Sequence, residues 1–116
     1  MHELGVVFTV ADTVRETATA CGAVHVDSVT LQVGEVTGIV PDYLVDCWNW
    51  AAGREELLKG AELIIEPIEA VSHCEDCGAF YKTVQYGRTC PECGSGHTFL
   101  DHGKEFIIKD ISVQDP

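Results

Sequence analysis

Cys74-Glu-Asp-Cys77-Gly78 and Cys90-Pro-Glu-Cys93-Gly94 are two C-x-x-C turns separated by twelve residues, and their reading decides the fold. In such a turn two thiolates project from one tight bend, backbone N–H groups aim at the sulfurs, and the following glycine takes the left-handed conformation that lets the chain double back. Two turns facing each other supply a tetrahedron of sulfur. Soft thiolates in that geometry select Zn²⁺ or iron, and four of them leave no coordination position open for a substrate water. Cys74, Cys77, Cys90 and Cys93 are therefore expected to hold structural zinc. The competing reading, two disulfides, suits a secreted chain, and the start Met1-His-Glu-Leu-Gly5 has neither the basic segment nor the cleavage site of an export signal.

Around these turns apolar residues are scarce: Val71, Ala79, Phe80, Tyr81, Val84 and Tyr86 are too few to hold a lobe by burial. Bound metal would supply what the core lacks, since structural zinc is worth roughly 10–16 kcal/mol in small peptides at neutral pH. His73 and His97 flank the turns and read as surface imidazoles, because a site with four thiolates has no vacancy. The segment carries Lys82 and Arg88 against Glu75, Asp76 and Glu92. Over the whole chain 7 basic side chains face 19 acidic ones, a net charge of −12, of which −9 falls in residues 1–72. Binding to a phosphate backbone requires clustered Lys and Arg, so no nucleic acid is expected as a partner. A length of 116 residues allows one modest core and excludes a large multidomain enzyme. No apolar run approaches the roughly 18 residues that would span a membrane, and a cytoplasmic protein with no membrane partner is expected.

Before the cysteines, Leu4, Val7, Ala11, Val14, Ala18 and Cys21 recur at three- and four-residue steps and predict an amphipathic helix that Gly22 stops. From Ser28 to Val36, Val29, Leu31 and Val33 alternate with polar residues, the period of a half-buried strand. Pro41 opens a second helix expected to reach about Leu58 and stop at Gly60, with Leu44, Val45, Cys47, Trp48 and Ala51 inward. Cys21 and Cys47 fall on these apolar faces and read as small core residues. Glu62 to Ile68 predicts a second strand that ends, or lies at a sheet edge, at Pro67. Thr98–Leu100 and Glu105–Val113 predict two more strands with Gly103 turning between them.

At the other end of the chain, Met1 is expected to stay on ahead of His2, because removal of the initiator generally requires a small second residue. The α-amine, the His2 amide and the His2 imidazole can then form fused chelate rings about one cation, with Glu3 offering its amide or carboxylate. Several nitrogens in one plane suit Ni²⁺ or Cu²⁺, whereas zinc favours a tetrahedron. The residues alone leave two readings open, a chelating terminus and a solvated histidine.

Met1-His2-Glu3-Leu4, then Val29-Thr-Leu-Gln-Val-Gly-Glu35 with Thr37-Gly38, then Gly60-Ala-Glu-Leu63, the paired knuckles and Lys104-Glu-Phe-Ile-Ile-Lys109 together resemble the HypA/HybF family of hydrogenase nickel-incorporation metallochaperones. The resemblance covers nearly the whole chain. It implies an α+β fold: two helices on a three-stranded, largely antiparallel sheet, with an inserted four-cysteine zinc-ribbon lobe. Residues 1–70 plus 99–116 would form the nickel-binding lobe and 71–98 the zinc-binding lobe. It further implies that His2 ligates Ni²⁺ with help from the Met1 amine and Glu3, and that the metal passes, with a HypB-like GTPase, to the large subunit of a [NiFe]-hydrogenase. No catalysis is expected. In some relatives an acidic side chain after the glycine-rich turn lies near the nickel; position 40 here is Val40, and the nearest acid is Asp42. The sequence leaves self-association into a homo-oligomer open. Two rival functions share the four thiolates, a rubredoxin-like iron electron carrier and a zinc-ribbon protein-binding adaptor. Red colour and a reversible one-electron couple would mark the first.

Overall fold

A computed structural model describes residues 3–116; Met1 and His2 lie outside the described residues. Helix α1, Glu3–Ala20, forms despite its many threonines and valines because Val7, Val10, Ala11, Val14 and Ala18 make one buried stripe. Thr9 and Thr13 turn their hydroxyls back onto the carbonyls of Gly5 and Thr9, four residues earlier. The helix closes in a Schellman turn: Gly22, at φ +74°, donates its N–H to the Thr19 carbonyl, and Ala23 donates to Ala18. Cys21 falls on that turn, beyond the last helical residue, and is exposed rather than part of the core.

Strand β1, His25–Gly34, buries Val26, Val29, Leu31 and Val33; it starts three residues before the predicted one and ends two residues earlier. Helix α2, Pro41–Ala52, has Pro41 in its first turn and buries Leu44, Cys47, Trp48, Ala51 and Ala52, while Val45 is only half-buried. It stops six residues short of Leu58. Gly53 interrupts it, as a residue of low helix propensity does where no apolar stripe continues, and turns carry the chain to Gly60. Leu58 is nevertheless fully buried, and Trp48 donates its indole N–H to the Ala61 carbonyl at 2.9 Å.

Strand β2, Glu62–Ile68, matches the predicted span, and it lies at the edge, where Pro67 is tolerated, of a three-stranded sheet in the order β2-β1-β6, with β6 at Phe106–Gln114. Strand β6, Phe106–Gln114, runs antiparallel to β1: Val24 donates to the Gln114 carbonyl at one end and Gly34 to the Glu105 carbonyl at the other. Along β1 and β2 the contacts His25–Lys59 and Gln32–Glu66 advance together, as they do when a helix such as α2 crosses between parallel neighbours. Glu66 ties this sheet crosswise, accepting from Gln32 and, at 3.0 and 3.1 Å, from the Lys109 ammonium.

The sequence did not announce the second sheet. Strands β3, Val71–Cys74, β4, Phe80–Lys82, and β5, Thr98–His102, pair antiparallel in the order β4-β3-β5, with a bulge between Val71 and Ser72. A one-turn helix α3, Thr83–Tyr86, follows β4. The two strands predicted around Gly103 therefore belong to different sheets, β5 to the second and β6 to the first.

By density of contact the chain divides into two compact units, one comprising the chain up to Gln32 with Ile39–Glu66 and Ile107–Pro116, the other Val33–Gly38 with Pro67–Phe106. The class is α+β, and three of the four strand pairings are antiparallel. Within the second unit three segments cross at very short range. A Cβ on Gly34 would lie 2.0 Å from the Gly103 carbonyl oxygen, and one on Gly103 would lie 2.3 Å from the Ala70 Cα. The Glu35 carboxylate accepts from the Ala70 N–H at 3.0 Å, and the Val36 N–H donates to the Gly103 carbonyl.

Candidate metal centre

The two C-x-x-C turns repeat one backbone pattern. Cys74 accepts the Gly78 N–H on its carbonyl and donates its own N–H to Ala79; Cys90 does the same with Gly94 and Ser95. Gly78 and Gly94 sit at φ +78° and +74°, the left-handed conformation expected of them. These turns bring the four sulfurs within 4.8 Å of one another. Cys74 and Cys93 approach to 3.6 Å, as do Cys77 and Cys90. Those separations are far longer than a disulfide bond of about 2.05 Å. They match the edge of a sulfur tetrahedron around zinc, about 3.8 Å for Zn–S bonds of about 2.3 Å. The donor set therefore fits a tetrahedral, thiolate-loving ion.

Electrostatics in the turns follow from the backbone. The Cys77 N–H, aimed at the Cys74 sulfur, stabilises its thiolate and brings that thiol down to about 7. Cys93 receives the Ser95 N–H, but loss of solvent and three neighbouring sulfurs outweigh it and push this thiol up to about 12. Cys77 is likewise raised, its Ala79 N–H being outweighed by desolvation and by the Cys90 and Cys74 sulfurs. Four sulfurs at this range cannot all ionise without a cation among them.

Neither flanking histidine joins the sulfur cluster. The His97 ring is 77% exposed and lies 3.0 Å from the Asp76 carboxylate, which also accepts from the Ser95 hydroxyl. Ser95 first and His97 second hold the Asp76 carboxyl below its ordinary range. This bond set joins a residue of the first turn to two beyond the second. His73 stacks on Phe80 at 4.5 Å between ring centroids and meets Phe99 edge-on at 5.3 Å.

Of the amino-terminal residues singled out from sequence, Met1 and His2 lie outside the described residues. Glu3 begins α1, is 7% exposed, and its Oε2 accepts the Val40 N–H at 3.0 Å. Its carboxylate thus fastens the start of α1 to the residue that precedes α2. Sequence reasoning missed this tie. The available signal was Val40 itself, a side chain with no oxygen where a helix start usually has one. Val40 and Asp42 are both exposed.

Comparison with known proteins agrees with this arrangement. The hydrogenase maturation factor HypA of Chlorobium luteolum is 34% identical over 115 residues, covering 99% of this chain and 97% of that one. The factor of the same name from Streptomyces avermitilis is 37% identical over 117 residues, covering 99% and 88%. The solution structure of the nickel metallochaperone HypA from Helicobacter pylori superposes with a TM-score of 0.72 at 21% identity, each chain covered in full, so the fold is shared. A second solution structure of a HypA protein gives 0.74 at 23% identity, covering 100% of this chain and 98% of that one. The rubredoxin-like and adaptor readings give way to these findings. Residues 1–113 match the family model described as hydrogenase/urease nickel incorporation, metallochaperone, and with relatives of this similarity the chain belongs to the HypA family.

Proposed function

We propose that this HypA-family metallochaperone, a carrier and not an enzyme, takes up Ni²⁺ through the Met1 α-amine and the His2 amide and imidazole, with Glu3 assisting through its main chain. The observation that carries the reading is that the family match begins at residue 1, so Met1-His2-Glu3 lies inside it. With its carboxylate engaged by Val40, Glu3 contributes its amide as a donor and its side chain as an anchor for the chelating segment. A set of nitrogens in one plane suits nickel, and Cys74, Cys77, Cys90 and Cys93 are reserved for zinc, which thiolates hold in a tetrahedron. The carrier lobe is the unit of α1, α2 and the β2-β1-β6 sheet, and the zinc lobe is the unit of β3, β4 and β5. In the cytoplasm the ion passes, with a HypB-like GTPase, to the large subunit of a [NiFe]-hydrogenase.

The chemistry of transfer requires tight selection and ready release. The α-amine must shed a proton to bind, and free α-amines titrate at about 7.7–8.0, so nickel affinity rises with pH through that range. Nickel titration of the zinc-loaded protein with its native start tests the assignment. One site is expected, abolished by His2→Ala with unchanged helical circular dichroism and abolished again by one extra residue before Met1. Nickel affinity unaltered in both variants refutes it.

A further inference from the structure

Along the seam between α1 and α2 three large aromatic side chains stay in solvent: Phe8 is 43% exposed, Tyr43 54% and Trp50 54%. They do not lie scattered. Phe8 meets Trp50 edge-on with ring centroids 6.2 Å apart, and the Arg54 guanidinium lies 4.7 Å over the Trp50 ring. Two hollows flank this pair. One, of about 220 Å³, is lined by Leu4, Tyr43, Asp46, Cys47 and Trp50. The other, of about 240 Å³, is lined by Phe8, Ala11, Ala51, Arg15, Arg54 and Glu55. From Tyr43 to Ala51 the trough spans roughly 12 Å at the rise of an α-helix.

Its two ends differ in charge. Near the second hollow, Arg15 is already neutralised by Asp12 at 2.8 Å and Glu55 at 2.7 Å. At the Tyr43 end, Asp42 and Asp46 make no ion pair among the described residues. Exposed Trp, Tyr and Arg around apolar hollows are the composition of interface anchors. An unbalanced acidic end selects a partner with positive charge there. We infer that the α1–α2 seam receives an amphipathic helix from a protein partner, its apolar residues at i, i+3, i+4 and i+7 facing Tyr43, Trp50 and Phe8, and its lysines or arginines against Asp42 and Asp46. A second copy of this chain is disfavoured, because each carries a net charge of −12 and would bring its own acids to the same seam. The inference stands apart from the nickel assignment.

Three synthetic helical peptides, each about three turns long, test it. The first has leucines at the spacing above and lysines at one end; the second replaces the lysines by glutamates; the third scrambles the leucines. Trp48 is fully buried, so a change in tryptophan emission reports Trp50. The lysine peptide is expected to bind about tenfold tighter than the glutamate peptide, with Asp42→Lys/Asp46→Lys reversing that order and the scrambled peptide silent. Trp50→Ala, or Tyr43→Ala should that variant fold poorly, is expected to weaken binding at least about tenfold. Absence of peptide binding, indifference to charge sign, indifference to both aromatic truncations, or sedimentation showing the chain paired with itself through Trp50 overturns the inference.

Discussion

The first unit of the chain buries Trp48, Leu31, Leu44, Leu58, Val7, Val14, Val26 and Val29 almost completely, whereas the cluster buried in the ribbon consists of Tyr81 and two cysteines, Cys74 and Cys90, with Ala79 against them. Full burial of one large aliphatic or aromatic side chain is worth about 1.5–3 kcal/mol, so the first unit draws on eight such contributions and the ribbon has that of a single tyrosine. The ribbon draws instead on a cation. Its sulfur atoms are both core and ligand, which is why so few apolar residues suffice around them. Two adjacent stretches of one polypeptide thus reach order by different means, and a perturbation chosen for one should leave the other standing.

Removal of a thiolate should give the largest effect. Cys74→Ser, or a chelator strong enough to take the ion, is expected to release zinc and abolish amide protection across 71–102, at a cost of about 10 kcal/mol or more in binding free energy. Helical circular dichroism from α1 and α2 should persist. A variant that keeps its zinc and its protected ribbon breaks the comparison, and loss of the helices along with the metal would merge the two regions into one cooperative unit. Next in size is Leu44→Ala, which should lower the stability of the first unit by about 2–5 kcal/mol while zinc content by elemental analysis stays unchanged. The smallest effect belongs to Glu66→Gln. Hydrogen bonds from Lys109 first and Gln32 second hold the Glu66 carboxyl below its ordinary range. A carboxyl lowered on folding stabilises above its unfolded value, about 4.3, and that contribution is lost as pH falls through the folded one. The variant should therefore melt slightly lower than the parent near neutral pH, with the difference closing in acid, as paired thermal melts would record.

The same contrast explains what could be read in advance. Strand β2 was legible to the residue because Leu63, Ile64 and Ile65 are β-branched or apolar and Gly60 and Pro67 bracket them. The knuckles were legible because metal geometry fixes ligand spacing more tightly than packing fixes apolar spacing. Strands β3 and β4 were not, since their inward side chains include Ser72, satisfied at 2.6 Å by the Thr83 hydroxyl, and Cys74, satisfied by the sulfur cluster. Neither leaves a hydrophobic alternation. In α2, counting apolar residues to Leu58 hid the effect of Gly53, because Leu58 is buried from a turn rather than from the helix. Cys21 matched the helical period one residue after the helix had ended. At the candidate site, donor identity could be read but the anchoring of Glu3 could not, for its partner is a main-chain N–H 37 positions away.

The close crossing of residues 34, 70 and 103 has a consequence for how this chain tolerates change. Gly34 has an ordinary negative φ of −69°, so nothing about its own conformation demands glycine; its neighbours do. In a saturation library, position 34 would read as intolerant even of alanine, and no enlargement at 70 or 103 would rescue it. Such a library would trace the constraint at 34 to the main chain at 103, and the constraint at 103 to Ala70.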